Sequence, residues 1–364
     1  MKKKFIRLAC GLDIGKDQFR ACFGRIDESG HFTVKSGRFF DNNTSGIKAF
    51  LIWIKKHLSK LNPASELPFQ ILLETTGVYH ESVCLAVYEA GLPVCLEVAK
   101  RVKKYLQSIG QYSKTDKLDA KGICQMASER KFRLWKPSSP NILKLRTALR
   151  HRKSLVNNKT RLTNQLHAMD HSAYSNKQVK SSVNRLIKQM EREIEKMENL
   201  CVVLYEADEI LCKRLNPIID SIKGVGLITA LTIIAETNGF AEITSRKQLA
   251  SYAGYDIIEN QSGNSTKPTR ISKQGNARIR SQMYMAALSL IQSQSGPIYQ
   301  FYLRVQERNP KIYKIANVAV QRKLLLLIYT LYKNETQYDP EYHNKQYKKN
   351  SPEPSPELCE IEQI

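Results

Sequence analysis

Asp116 and Asp119 stand three apart in Ser113-Lys-Thr-Asp-Lys-Leu-Asp-Ala120, a run that reads as the opening of a helix continuing to Arg130. Ser113 or Thr115 is the N-cap candidate. At that spacing both carboxylates leave one helix face and share one small volume. Two like charges so close repel unless a cation lies between them, and a divalent metal is the usual answer. Taken alone, the pair is explained as well by a solvated first turn, with acids at the positive end of the helix dipole and Lys114, Lys117 and Lys121 as partners. Two further acids change that balance. Asp13 closes the apolar run Phe5–Asp13, and Glu74 closes Pro68–Glu74.

The elements needed to bring these acids together are legible around them. Phe5–Asp13, Gln18–Arg25 and His31–Phe40 predict three antiparallel strands, with a turn at Asp27-Glu-Ser-Gly30. Ser45–Leu58 has helical periodicity through Ile47, Phe50, Leu51 and Ile54. Pro68–Glu74 and Val94–Val98 predict two more strands, separated by a helix over His80–Ala90. A meander followed by alternating helices and strands is an α/β unit of ribonuclease-H-like type. Open α/β sheets place ligands outside the carboxyl ends of their strands, where Asp13 and Glu74 fall. With the Asp116–Asp119 helix across the same edge, four acids from three segments converge, enough for two Mg²⁺ ions in the manner of two-metal nucleases. Each acid also has a plain reading, as a strand-end charge or a turn cap. All four being plain at this placement is the weaker account.

The chain has 364 residues and a formal net charge of +23, with a pI near 9.6. The length suits two or three units, and the charge points to a polyanion, a nucleic acid rather than a membrane surface. No apolar run reaches the roughly 18 residues needed to span a bilayer. Met1-Lys-Lys-Lys-Phe-Ile imitates the charged start of a signal peptide, but Asp13 interrupts the apolar stretch and no small-residue cleavage site follows. A cytoplasmic protein is expected. Eight cysteines carry no C-x-x-C pair, which argues against a zinc knuckle and a disulfide framework, and most read as small core residues.

Trp135-Lys-Pro-Ser-Ser-Pro140 breaks the chain and predicts a domain boundary. Beyond it, Asn141–Leu162 holds no acid but carries Lys144, Arg146, Arg150, Arg152, Lys153, Lys159 and Arg161. Val183, Ile187, Met190, Ile194, Met197, Cys201 and Leu204 follow a 4-3-4-3 spacing, a heptad seam. Two long helices in an antiparallel coiled-coil hairpin are expected, with the acid-free arm as a nucleic-acid face. Pro217 is read as the start of a third unit. Lys223-Gly224-Val-Gly226 ahead of an apolar helix suggests the turn of a helix-hairpin-helix module, whose glycines let backbone N–H groups approach a phosphate. A tight connection is the plainer alternative.

Glu259–Arg270 reads as a polar loop without an apolar anchor, feeding a basic helix over Ile271–Arg280. Lys267, Arg270, Lys273, Arg278 and Arg280 form a dense cationic set there. A Ser beside Gly in such a loop is a nucleophile candidate for a phosphodiester, although Ser in that setting is far more often a plain loop residue. Ile298–Leu331 reads as one helical stretch, and the tail from Glu335 as disordered. The expected units are residues 1–136, 141–217, 218–334 and the tail 335–364.

Gly11-Leu-Asp13-Ile-Gly-Lys16, Leu73-Glu74-Thr-Thr-Gly77, Lys114-Thr-Asp116-Lys-Leu-Asp119-Ala120, Gly224-Val-Gly226 and Arg270-Ile-Ser-Lys-Gln-Gly-Asn276, in that order, resemble the DEDD-type insertion-sequence transposases. These are also described as bridge-RNA-guided recombinases. The likeness runs to about Leu331. It implies a RuvC-like N-terminal domain with Asp13, Glu74, Asp116 and Asp119 as catalytic Mg²⁺ ligands. It implies a coiled-coil linker used in assembly of a homo-oligomer, a dimer or tetramer. It also implies a C-terminal domain whose serine, in a Ser-Gly loop before the I-S-K-x-G-N segment, attacks DNA to form a phosphoserine bond. Ser262 matches that position. The usual Ser-Ser-Gly-Gly-Lys run is Gln261-Ser-Gly-Asn-Ser-Thr-Lys267 here, so Ser265 stays a second candidate, and Lys223 stands where Pro is common.

The partners so implied are DNA, as element ends and target, and a guide RNA whose base pairing chooses the sequence. Arg150, Arg152, Lys153, Lys223, Gly224, Gly226, Lys267, Arg270, Lys273, Arg278 and Arg280 are the nucleic-acid-binding candidates. The acids and the serine would form a composite site, assembled between subunits. Three rivals stay open: a RuvC-type junction nuclease with an inert serine, an actin-like sugar kinase, whose phosphate loop also opens on Asp-Ile-Gly, and a non-catalytic nucleic-acid-binding protein.

Overall fold

The computed structural model describes residues 4–61, 66–75, 77–113, 115–262, 265–308, 310 and 312–342, with side chains except at 260–269. The chain divides into two compact units, Met1–Pro137 and Ser138–Ile364.

The first unit is a five-stranded mixed sheet. β1 (Phe5–Ile14), β2 (Gln18–Asp27) and β3 (Phe32–Asp41) form the antiparallel meander, and β4 (Phe69–Thr75) and β5 (Val94–Val98) extend it in parallel, in the order β3-β2-β1-β4-β5. The central strands β1 and β4 read as near-continuous apolar runs because both of their faces are covered. On one face Leu8, Cys10, Leu12 and Ile14 of β1 meet Ile47, Phe50 and Ile54 of α1 (Thr44–Leu61) and Val83, Cys84 and Val87 of α2 (Glu81–Glu89). On the other, Ala9 and Leu72 meet Val102 and Tyr105 of α3 (Ala99–Ser108) and Ala120, Ile123 and Cys124 of α4 (Asp116–Glu129). Each fully buried Ile or Leu in these layers contributes about 1.5–3 kcal/mol.

The second unit is helical apart from one ribbon. α5 (Pro140–Asp170) starts on Ser139, whose hydroxyl accepts from Ile142 N, with Pro140 in the first turn where a missing N–H costs nothing. α6 (Lys177–Glu206) starts on Asn176 and runs back beside it. Arg152 pairs with Glu198, Lys159 with Glu191 and Asp170 with Lys180, partners that step in opposite directions along the two helices. Every residue of the expected heptad seam is buried or half-buried. The base of this hairpin belongs to the core of the unit: Ile142, Leu145, Leu149, Cys201 and Tyr205 pack in one cluster with α7 (Glu209–Ser221), α8 (Leu227–Thr237), α9 (Arg246–Ala253), α10 (Ala277–Gln292), α11 (Gly296–Arg308) and α12 (Tyr313–Asn334).

Four expectations are corrected. Pro217 lies inside α7 rather than ahead of a new element. The polar stretch Glu259–Arg270 is an antiparallel ribbon, β6 (Ile257–Ser262) and β7 (Ser265–Ile271), in which Ser262 and Ser265 are register partners. Its apolar residues, Ile257, Ile258 and Ile271, lie only at the base, so alternation is invisible in the sequence. The basic helix begins at Ala277, because Asn276 caps it and Lys273 just before holds a positive φ of 53°. The helical stretch from Ile298 is two helices, α11 and α12, with Pro310 between them. The tail from His343 lies outside the described residues.

Candidate metal and nucleic-acid site

Asp13 and Glu74 are the penultimate residues of β1 and β4. The parallel register pairs Ala9 with Gln70, Gly11 with Leu72 and Leu12 with Leu73, so the two acids are neighbours one step further on. Strand alternation puts them on the face that carries α4. The direction of α4 follows from its contacts. Gln70 Nε2 donates to Ala127 O at 2.6 Å, Arg7 Nη1 to Ser128 O at 3.2 Å, and Cys124 Sγ to Ala9 O at 3.3 Å. The last turn of α4 therefore lies over the start of β1 and β4. Its first turn, with Asp116 and Asp119, lies at the strand ends that carry Asp13 and Glu74. Gly11 makes this crossing possible: a Cβ there would sit 2.2 Å from Cys124 N and 2.6 Å from Ala120 O.

Thr115 is the N-cap, its hydroxyl accepting from Leu118 N at 3.3 Å, and so fixes the turn that presents both aspartates. Asp119 is half-buried and accepts from Gln111 Nε2 at 2.9 Å. Asp116 is exposed and borders an open cavity of about 620 Å³ with Lys16, Asp17, Asp41 and Asn42. Glu97 of β5 is the register partner of Glu74. Asp17, Asp41 and Glu97 sit at strand ends or in the turn after one, as Asp13 and Glu74 do. A rule counting every strand-end acid would have found Asp41 and Glu97.

The four acids thus share one edge of the sheet. As their side chains stand, no three His, Cys, Asp or Glu groups among the described residues are close enough to ligate one ion. The donor set is all oxygen and carboxylate-rich, which suits a hard cation such as Mg²⁺. Like-charged carboxylates repel without a cation between them, and the side chains would have to close on such an ion to hold it.

The cationic candidates divide by what they touch. Arg150 donates from Nε to Glu236 Oε1 at 2.7 Å and from Nη2 to Oε2 at 2.9 Å. Arg152 donates to Glu198 Oε1 at 2.7 Å, and Arg280 Nη1 to Ala253 O at 2.7 Å. These three make contacts within their own unit, so the acid-free arm is partly neutralised by α6 and α8. Lys223, Arg270, Lys273 and Arg278 are exposed. Gly224 has φ +85°, a conformation that favours glycine, and open space surrounds the Cβ position of Gly226 at the start of α8. Ser262, Ser265 and Lys267 are described in backbone only. Glu236, buried beneath α5 and α10, had no signal in the sequence beyond being an acid in an apolar helix.

A carboxylate-edged α/β sheet joined to a basic helical unit is the outline of a protein that acts on nucleic acid. Residues 10–171 match the family model for DEDD transposases of the IS110 type, described as Transposase, and residues 216–303 match that described as Transposase IS116/IS110/IS902 family. The chain belongs to this family of DEDD insertion-sequence transposases. It is similar to the pilin gene-inverting protein of Moraxella bovis, 27% identical over 94% of this chain and 100% of that protein. It is also similar to the transposase for insertion sequence element IS1111A of Coxiella burnetii, 24% identical over 55% of this chain and 60% of that one. Among solved structures, Thermus thermophilus RuvC aligns with 32% of this chain and 91% of its own, at 15% identity and a TM-score of 0.26.

Proposed function

We propose that this transposase breaks and rejoins DNA strands with a serine nucleophile and a carboxylate-held metal. What supports the reading is that the register of β1 and β4 and the direction of α4 bring Asp13, Glu74, Asp116 and Asp119 toward one edge of the sheet from three separate segments. Ser262 Oγ attacks a scissile phosphorus, forming a phosphoserine ester, and the displaced sugar oxygen leaves with a proton. A second DNA hydroxyl then attacks the phosphoserine and restores the serine. Mg²⁺, when bound by the four acids, supplies stabilisation of charge on the phosphate oxygens and the leaving oxygen. Lys223, Arg270, Lys273 and Arg278 contact backbone phosphates. A guide RNA, paired to the element ends and target, selects sequence, and the protein works as a homo-oligomer through the α5–α6 hairpin, read as a coiled coil. The name of the Moraxella relative makes inversion between two sites in one DNA a reaction to test beside insertion.

The test is strand exchange in vitro, with the full chain, flanking-element DNA, the element's non-coding RNA and Mg²⁺. Asp116→Ala should abolish exchange. Ser262→Ala should abolish the covalent protein–DNA product. If Ser265→Ala abolishes it instead, the nucleophile is Ser265. If neither variant loses cleavage, the protein is a metal-dependent junction nuclease.

A further inference from the structure

Glu236, near the end of α8, is only 6% exposed, and its side chain is held by Arg150, Asn276 and Arg278. Its two carboxylate oxygens take both arms of the Arg150 fork, and Oε2 also accepts from Asn276 Nδ2 at 2.8 Å. Arg278 Nε lies 3.8 Å from Oε1. The backbone follows the same route: Tyr252 OH donates to Glu236 O at 2.6 Å, and Asn276 N donates to Tyr252 O at 2.8 Å. Asn276 is the last residue of the connection 272–276 between β7 and α10, and its Oδ1 caps that helix by accepting from Arg278 N and Ile279 N. One carboxylate therefore ties the cap of α10 and lies beside the Arg278 guanidinium in the first turn of that helix.

The narrow pocket beside this carboxylate, about 10 Å³ and so no roomier than one water, has Arg150, Arg152, Lys153 and Arg278 on its walls. Glu236 offsets one of these charges and Glu198 another, so the surface stays cationic and takes an anion. Arg278 is exposed, and a guanidinium with one edge toward a carboxylate keeps other N–H groups for a second oxyanion.

We propose that Glu236 is a positioning residue for phosphodiester cleavage, fixing the start of α10 through Asn276 and holding Arg278 toward a nucleic-acid backbone phosphate that lies across the mouth of this pocket. The proposal rests on the serine reading above but is read on cleavage rate, not on the covalent product.

The experiment measures cleavage of a labelled duplex carrying the element's own end, together with the salt dependence of binding to it, using the full chain. Glu236→Gln keeps the shape and removes the charge. It should slow cleavage about a hundredfold, the scale of a misplaced reacting group, while duplex affinity changes little. The decisive variant is Arg150→Met with Glu236→Gln, which removes both members of the pair and so relieves the uncompensated charge. Because Arg150 itself lines the pocket, the double variant is compared with Arg150→Met alone: if it cleaves at least as fast, Glu236 only neutralises Arg150 and the proposal is overturned. If Glu236 positions, the double variant is slower than Arg150→Met. Should the double variant not fold, Asn276→Ser decides, since serine keeps the cap of α10 but loses the reach to Glu236. A wild-type rate there overturns the proposal, and a loss of about tenfold or more supports it. If Ser262→Ala and Ser265→Ala both keep cleavage while the Glu236 variants lose it, the serine reading fails and the positioning role stands.

Discussion

A buried carboxylate between two arginines has opposing influences on its acidity. Burial pushes the Glu236 carboxyl up, but the hydrogen bonds from Arg150 and Asn276 and the charges of Arg150 and Arg278 outweigh it, leaving it below the usual 4.5. A carboxyl depressed on folding contributes stability above its unfolded value and loses that contribution as the pH falls through the folded value. Thermal unfolding followed downward from pH 5 should therefore show wild type losing stability faster than Glu236→Gln. Parallel curves would mean that the arginines do not stabilise the ionised form. At neutral pH Glu236→Ala should cost about 2 kcal/mol, less than for a fully buried pair because Arg150 is partly in water. Cys10, Cys22, Cys84, Cys95, Cys124 and Cys201 are buried. Burial raises the thiols of Cys10 and Cys124 well above the usual 9.0 and holds Cys95 and Cys201 at about 11, which keeps all four protonated and inert.

Between elements, the decisive contact is α4 on β1. Gly11→Ala places a methyl carbon 2.2 Å from a backbone nitrogen that cannot move without the helix. We expect a loss of about 3 kcal/mol or more in denaturant unfolding. On the metal reading proposed above, Mg²⁺ affinity by calorimetry should also weaken, because Asp116 and Asp119 ride on that helix. Thr115→Ala removes only the cap and should cost about 1 kcal/mol, loosening the same turn. The cationic residues differ in the same concrete way. Arg278→Gln should lower the slope of log affinity against log salt by about one for duplex DNA, as loss of a single phosphate contact does. Arg280→Gln should leave that slope unchanged and lower stability, because its guanidinium closes on Ala253 O beneath the end of α9. Equal slopes for the two variants would remove Arg278 from the phosphate contacts.

Over the whole molecule, the charge of +23 makes any nucleic-acid complex strongly salt-dependent. Raising salt from about 50 to 200 mM should weaken duplex binding by about a thousandfold or more if six or more phosphates are contacted. A fall of less than about tenfold would limit the footprint to one or two contacts. No helix among the described residues is long and apolar enough to cross a membrane. The two compact units have separate cores, so Gly11→Ala and Glu236→Ala should act on different parts of an unfolding curve.

What the linear chain determined was whatever depends on near neighbours. The five strands of the first unit, the heptad seam and the Asp116–Asp119 turn were legible because strand and helix periodicities are local, and apolar runs report burial directly. The positions of the acids were legible for the same reason: Asp13 and Glu74 stand at the ends of apolar runs, and Asp116 and Asp119 in the first turn of a helix. Only the tertiary structure decided that Gly11 is the point where α4 crosses β1, that Arg150 and Arg280 spend their donors internally, and that a polar, unpatterned stretch is the β6–β7 ribbon. Each of these depends on groups brought together across long stretches of chain, and a charge gives no sign in the sequence of whether it faces another charge or water.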